Sequence, residues 1–325
     1  MEEQIFHTRT DLTELSEAVQ SVREQIKKVI VGQEEMVRLI IAALLADGHV
    51  LIEGVPGVAK TMTAKLVAKS LNVHFSRIQF TPDLMPSDVL GTPVFNPRDA
   101  SFDFKKGPLF SNIVLIDEIN RAPAKTQAAL FEVMEEKQIT VDGRTYAMQA
   151  PFMVLATQNP IEQEGTYRLP EAQLDRFLFK LVVPYPSEAE EFEILNQFHN
   201  LGNTDVFSAI ESVLKGDQII NIRKQVKTLV IEEKLLQFIA KLTHQTRHHK
   251  SIYLGASPRA SLAVMNASKA MAAINGRDFV TPEDILEVVP PVLRHRIILS
   301  PDKEMEGISE DAILKQIIQT MDIPR

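Results

Sequence analysis

Lys60 and Thr61 close the stretch Gly54-Val55-Pro56-Gly57-Val58-Ala59-Lys60-Thr61, whose small residues let a backbone approach a ligand closely. Backbone N–H groups in such a loop, with the positive end of a following helix, favour phosphate oxygens. Lys60 would bring a point charge to the β- and γ-phosphates, and the Thr61 hydroxyl could ligate Mg²⁺. Further on, Asp117 and Glu118 adjoin at the end of the apolar run Ile113-Val114-Leu115-Ile116. Asp117 fits a Mg²⁺ contact, direct or through water, and Glu118 fits a general base that aligns an attacking water. Alone, the loop also reads as a tight strand-to-helix turn, and Asp-Glu after an apolar run as a solvated strand end. Together they point to triphosphate hydrolysis. Ala59 stands where the general pattern has a second glycine; a negative φ at the helix start would make its methyl group cost little.

Three further residues have two readings each. Asn159 ends the run Phe152–Thr157 plus Gln158, and either caps a strand end or senses a γ-phosphate and holds the hydrolytic water. Arg176, in Leu174-Asp175-Arg176-Phe177, is a surface charge or an acid's partner; in a ring-forming ATPase it would project into the neighbour's nucleotide site. Arg259 follows Ser257-Pro258, a helix start, and a cation there meets the positive dipole end. It serves a salt bridge or a phosphate contact.

The elements that must position these residues follow from period and punctuation. Val50–Ile52, Val73–Phe80, Ser111–Asp117, Phe152–Thr157 and Leu178–Val183 read as strands, most of them covered on both faces as in a parallel sheet. Asp11 and Glu14 are spaced like an N-cap and its partner, with Leu15, Val19, Val22, Ile26 and Val29 on one helical face. Helices are expected over Met36–Ala46, Met62–Ser70 and Arg121–Glu136. The segment Thr81–Leu109, with prolines at 82, 86, 93, 97 and 108, reads as an insertion holding at most one helical turn and a small hairpin. Lys137–Met148 reads as a hairpin turning at Asp142-Gly143. Pro184-Tyr185-Pro186 marks a domain boundary, giving a domain over residues 1–186 and a second over 187–325. The second reads as all helix, with apolar faces over 188–200, 206–214, 232–244, 258–274 and 282–289, and well-marked starts at Ser257-Pro258 and Thr281-Pro282. Arg247-His248-His249-Lys250 has no carboxylate near it and reads as an exposed turn.

Composition narrows the classes. A chain of 325 residues, 45% hydrophobic and 24% charged, is ordinary for a globular protein of two domains. A formal net charge of −8 without a dense basic run disfavours a nucleic-acid partner. No cysteine is present, so disulfides and thiolate metal sites are excluded. The longest uncharged apolar run, Leu39–Ala46, is too short to cross a bilayer, and the first residues lack a signal pattern. The expectation is a cytoplasmic protein with no direct membrane insertion.

The chain resembles an AAA+ ATPase, specifically the MoxR family, from about residue 12 to about 298. The resemblance rests on VGQ at 31–33, GVPGVAKT at 54–61, QFTPDLMPSDVLG at 79–91 and LIDEINRAP at 115–123. It continues through ATQNP at 156–160, LPEAQLDRF at 169–177, LGASPRAS at 254–261 and FVTPEDI at 279–285. It implies an αβα core around a central parallel five-stranded sheet, with a C-terminal all-helical lid. Residues 81–109 would be the helix-2 insert and 137–150 the pre-sensor-1 hairpin. Val31 and Gly32 would lie near the adenine of ATP, Asn159 would be sensor 1, Arg176 the arginine finger acting in trans, and Arg259 sensor 2. The resemblance also implies a homo-hexameric, chaperone-like remodeller of client proteins, often working with a protein that carries a von Willebrand factor A domain. Two rivals remain at this point: a nucleotide-gated scaffold with little turnover, and the motor subunit of a chelatase-like machine.

Overall fold

The structure is a computed structural model that describes residues 13–55, 57, 59–159, 167, 169–201, 207 and 210–324. The chain divides into two compact units, residues 21–220, and residues 221–325 with those up to 20.

The unit of residues 21–220 is built on a parallel sheet. Its strands are β1 (Val50–Gly54), β2 (Phe75–Gln79), β5 (Ile113–Asp117), β8 (Met153–Gln158) and β9 (Phe179–Val183), in the order β2-β5-β8-β1-β9. All five residues of β5 are buried, as expected for a strand covered on both faces. The register sets Gln79 beside Asp117 and Glu53 beside Gln158, so the strands' carboxyl ends share one edge. That edge is where open α/β sheets bind ligands.

The helices up to residue 228 follow the apolar periods, and the first and last of them, Thr13–Lys27 and Gly216–Thr228, each run through a division between the units. In α1 (Thr13–Lys27), Leu15, Val19, Val22 and Ile26 are all buried, and so is Val29 just beyond it; the expected N-cap Asp11 lies outside the described residues. Next come α2 (Glu34–Leu45) and α3 (Lys60–Ser70). The insertion holds one short helix, α4 (Pro86–Leu90), and the hairpin β3 (Gly91–Asn96) with β4 (Ser101–Lys106). A second hairpin, β6 (Gln138–Val141) with β7 (Arg144–Ala147), turns at Asp142 and Gly143, both at positive φ (50° and 74°) as a type I′ turn requires.

Two helical expectations are corrected. Residues 121–136 are not one helix: a 3₁₀ turn covers Ile119–Arg121 and α5 runs Ala124–Glu136. Pro123 has no N–H to donate and pushes Ala122 into extended backbone (φ −76°, ψ 154°). Within 206–214, residues 210–214 are not helical. There the N–H groups of Val213 and Leu214 donate to Ser70 O at 2.7 and 3.3 Å, which ties the segment to the end of α3. After α6 (Glu171–Leu174) and β9 come α7 (Glu188–Leu201) and α8 (Gly216–Thr228). The Ser187–Glu190 capping box is formed.

The second unit contains α9 (Glu233–Thr246), α10 (Pro258–Ile274), α11 (Pro282–Leu293), α12 (Pro301–Met305) and α13 (Glu310–Gln319). It is not all-helical: β10 (Ile252–Leu254) pairs antiparallel with β11 (Ile298–Leu299). These strands are too short to print a period in the sequence, and the buried Ile252 and Leu299 face each other in the register. Both predicted starts hold, with proline at the first helical position after Ser257 and after Thr281. The Arg247–Lys250 segment is a largely exposed turn, and among the described residues no His, Asp or Glu group of three could hold a metal. No described helix is long and apolar enough to cross a membrane.

Candidate functional site

The carboxyl edge of the sheet gathers most of the residues singled out by the sequence. β1 delivers Gly54, where an added Cβ would lie 2.8 Å from Val183 O on β9; only glycine lets the two strands approach this closely. Gly57 has φ +90° with no atom within 4 Å of the place a Cβ would take, so the loop borders open space. Val55 is half-buried; Pro56 and Val58 lie outside the described residues. Ala59 departs from expectation: its φ is 56°, left-handed, not negative. The methyl group is therefore strained by the turn that launches α3.

Lys60 and Thr61 open α3. The Lys60 ammonium donates to Gly54 O at 2.5 Å, folded over the start of its own loop. Burial holds its pKa below the ordinary lysine value, while the negative charges of Asp117, Glu118 and Glu53 pull the other way. That opposition places an ammonium and carboxylates in one electrostatic neighbourhood, which a triphosphate with a cation would complete.

Asp117 is only 8% exposed, and each of its carboxylate oxygens is engaged. Oδ2 accepts from Arg77 Nε at 2.6 Å and Oδ1 accepts from the Thr157 hydroxyl at 3.3 Å. Thr157 also accepts from Glu118 N at 3.1 Å, so one hydroxyl spans the two acidic residues. Glu118 stands at φ 57°, a left-handed corner that turns its side chain out of the strand direction. Its Oε2 accepts from Gln79 Nε2 at 2.8 Å and pairs with Arg121 at 3.1 Å. Asn159, 8% exposed, directly follows β8, the strand between β1 and β5.

Other predicted residues sit elsewhere. Gly32 has φ +68°, and a Cβ there would meet Glu190 Oε1 at 2.4 Å; with Val31 it lies between α1 and α2, beside a shallow cleft lined by Ile26, Ile30 and Val37. Arg176 donates to Phe131 O at 2.5 Å and pairs with Glu135 at 3.0 Å, both on α5 and not the Asp117–Glu118 pair. Arg259, in the second unit, is exposed in the first turn of α10. The loop leading to it is fixed by Ala256 N donating to the Thr246 hydroxyl at 3.0 Å and Arg247 Nε donating to Ala256 O at 2.8 Å.

Sequence reasoning did not assign Arg77, Gln79, Thr157 or Arg121. Arg77 and Gln79 alternate onto one face of β2, but that face becomes informative only once β2 is known to lie beside β5.

Comparison with known proteins bears on the family and the fold. Residues 49–179 match the ATPase family associated with various cellular activities (AAA), and residues 244–317 match the AAA lid domain. The YeaC protein of Bacillus subtilis is 46% identical over 93% of this chain and 93% of its own length. Chaperone MoxR1 of Mycobacterium tuberculosis is 42% identical over 93% of this chain and 81% of its own. A crystal structure of a Cytophaga hutchinsonii protein assigned as an ATPase superposes with a TM-score of 0.89 at 41% identity, covering 97% of each chain. With such identity along nearly its whole length, and with the AAA fold under it, the chain belongs to the MoxR family of AAA+ ATPases.

Proposed function

We propose that this protein is a Mg²⁺-dependent ATPase whose sites form at the seams of a homo-hexameric ring, and whose turnover remodels or activates a partner protein. The observation that carries the reading is the convergence of Lys60 with Asp117 and Glu118 at the carboxyl edge of a parallel sheet. The Gly54–Thr61 loop would hold the phosphates and the Val31-Gly32 corner the adenine. The division of labour follows the change of character after Pro186, with residues 1–186 as the nucleotide-binding part and 187–325 as the lid.

Thr61 and Asp117 fit a hard divalent cation, since both offer oxygen. Mg²⁺, when bound, neutralises charge on the phosphoryl oxygens. Glu118 accepts a proton from the attacking water, whose oxygen bonds to the γ-phosphorus as the bond to the β–γ bridging oxygen breaks. Asn159 orients that water. Lys60 stabilises the negative oxygens, and Arg176 of a neighbouring copy does the same from across the seam; the sensor-2 role falls to Arg259. Domain motion coupled to this cycle would act on a client, alone or through a protein carrying a von Willebrand factor A domain, a role in keeping with the printed name of the mycobacterial relative, a chaperone.

A second reading has an observation in its favour. Glu118 is engaged by Gln79 and Arg121, and Arg176 by Glu135, which would suit a nucleotide-gated scaffold with little turnover. Phosphate release decides between them. Sustained release that Glu118→Gln lowers by about 10²–10⁴, with nucleotide still bound, supports the enzyme. Undiminished release in Glu118→Gln removes the base assignment, and no release from the unaltered protein selects the scaffold.

A further inference from the structure

The Arg77–Asp117 pair is asymmetric in a way that ordinary ion pairs are not. The Asp117 side chain is 11% exposed and fixed at the end of a fully buried strand, whereas the Arg77 side chain is 54% exposed. One partner is locked and the other is an arm free to swing into solvent. The arm reaches its target because of register: Gln79 lies beside Asp117, so Arg77, two residues earlier on the same face of β2, leans along the strand toward it. Its Nε lies 2.6 Å from Oδ2, the length of a strong charge-assisted hydrogen bond.

A carboxylate this buried needs a positive partner, because leaving it uncompensated is costly. Thr157 offers only a neutral hydroxyl at 3.3 Å. Lys60 spends its ammonium on Gly54 O, and Arg121 pairs with Glu118. Among the described residues, Arg77 is thus the cation in direct contact with Asp117. A divalent cation held by Asp117, directly or through water, draws on the same negative charge that the guanidinium neutralises.

We propose that Arg77 is a displaceable counter-ion at the metal position of Asp117, so that the divalent cation competes with the guanidinium for that carboxylate in order to bind. This rests on the assignment of Asp117 as a metal ligand made above. Arg77 then sets how tightly the nucleotide-loaded chain takes Mg²⁺, and it keeps the buried carboxylate compensated between turnovers. The swing costs little, since the arm is already half in water. What the cation loses is the fraction of its binding energy spent on displacing a partly exposed ion pair.

The test measures metal binding rather than turnover. Protein is held in excess over ADP, Mn²⁺ is titrated, and free Mn²⁺ is read by electron paramagnetic resonance. Arg77→Gln should tighten Mn²⁺ binding about 1.5- to fivefold, the range for loss of one half-exposed competing pair. Arg121→Gln removes the same charge from a site that faces Glu118, and should change the affinity by much less. Equal affinities for Arg77→Gln and the unaltered protein overturn the exchange, and so does an equal gain in Arg121→Gln, which would reduce the effect to general charge. Should Arg77→Gln fail to fold, Arg77→Met serves in its place: it also removes the charge and should bind Mn²⁺ more tightly, and an unchanged affinity overturns the proposal. Asp117→Asn separates the two levels of argument. If it binds Mn²⁺ as well as the unaltered protein does, Asp117 is no metal ligand, and both the assignment and the exchange fall.

Discussion

Arg176 pairs with Glu135 at 3.0 Å while donating to the carbonyl oxygen of Phe131, so the guanidinium is engaged on α5 of its own chain. A finger that serves a neighbour has to leave these partners or carry α5 with it. The pair is partly exposed on both sides (28% and 39%), so its release should cost no more than about 1 kcal/mol. Transition-state stabilisation by an arginine in trans can be worth roughly 10³–10⁵ in rate, far more than that cost. Arg176→Ala should therefore lower turnover of the assembled protein by about 10³ or more with little change in nucleotide affinity. Mixing it with Glu118→Gln subunits should restore part of the activity, because some seams then unite an intact base with an intact finger. A mixture no more active than either variant alone would show that the arginine does not act across a seam.

Ala59, at φ 56°, carries a strain that a glycine would not. The left-handed conformation costs a side-chain-bearing residue about 1–2 kcal/mol, and glycine's extra freedom in the unfolded chain returns about 0.5–1 kcal/mol of that. Ala59→Gly should raise stability by about 0.5–1 kcal/mol, a shift in thermal midpoint on the order of 1–4 °C, with nucleotide binding retained. Calorimetry of the two proteins decides. A lowered midpoint would mean that the methyl group makes a contact that outweighs its backbone cost.

The difference at Ala59 shows where sequence stops being informative. The spacing of Gly54, Lys60, Thr61, Asp117 and Glu118 was legible because phosphate binding and strand burial impose residue types at fixed intervals. The backbone angle at Ala59 was not, since alanine is compatible with both readings. The five parallel strands were visible as apolar runs, but their order was not, and so the approach of Arg77 and Gln79 to the two carboxylates could not be read. Two short strands, Ile252–Leu254 and Ile298–Leu299, escaped because two or three residues carry no period. Pro123 did announce a break at the start of α5; a helical period running across it overrode that signal.

Glu190 closes the first turn of α7 and lies against Gly32, so the two should respond together. The Ser187 backbone N–H, and then its hydroxyl, hold the Glu190 carboxyl below the usual glutamate range. A depressed carboxylate pKa contributes stability that is fully present above the unfolded value, about 4.3, and is lost as pH falls through the lower folded value. Protection of the amides at the start of α7 against hydrogen exchange, taken relative to the intrinsic rate at each pH, should therefore be high near neutral pH and fall in that acid window. Gly32→Ala should produce the same loosening at neutral pH. It places a methyl group 2.4 Å from Glu190 Oε1 at a φ of +68° that alanine resists, so the carboxylate has to shift and the bonds of its other oxygen to Ser187 are disturbed. If exchange over residues 187–190 is the same in both proteins, Glu190 is not what fixes that turn.

Arg259 owes its presentation to a helix pair, α10 with α11, whose junction is tied by one buried carboxylate. Asp284, 1% exposed, accepts from Arg277 Nη1 and Nη2 at 2.7 and 2.6 Å, a bidentate pair. It also accepts from Thr281 N at 2.9 Å, capping α11, and from Asn275 Nδ2 at 3.2 Å at the end of α10. Asp284→Ala would remove the carboxylate partner of a guanidinium, an N-cap and an amide in one step. Breaking a buried pair by removing one partner costs about 3–5 kcal/mol. Asp284→Asn keeps an acceptor for Thr281 N and should cost less, though the fork to Arg277 is weakened. Chemical denaturation should rank unaltered protein above Asn above Ala, with exchange of the α11 amides rising in the same order. If Ala and Asn prove equally stable, the carboxylate's charge matters and its cap does not; if both match the unaltered protein, neither does, and the α10–α11 packing alone holds Arg259 in place.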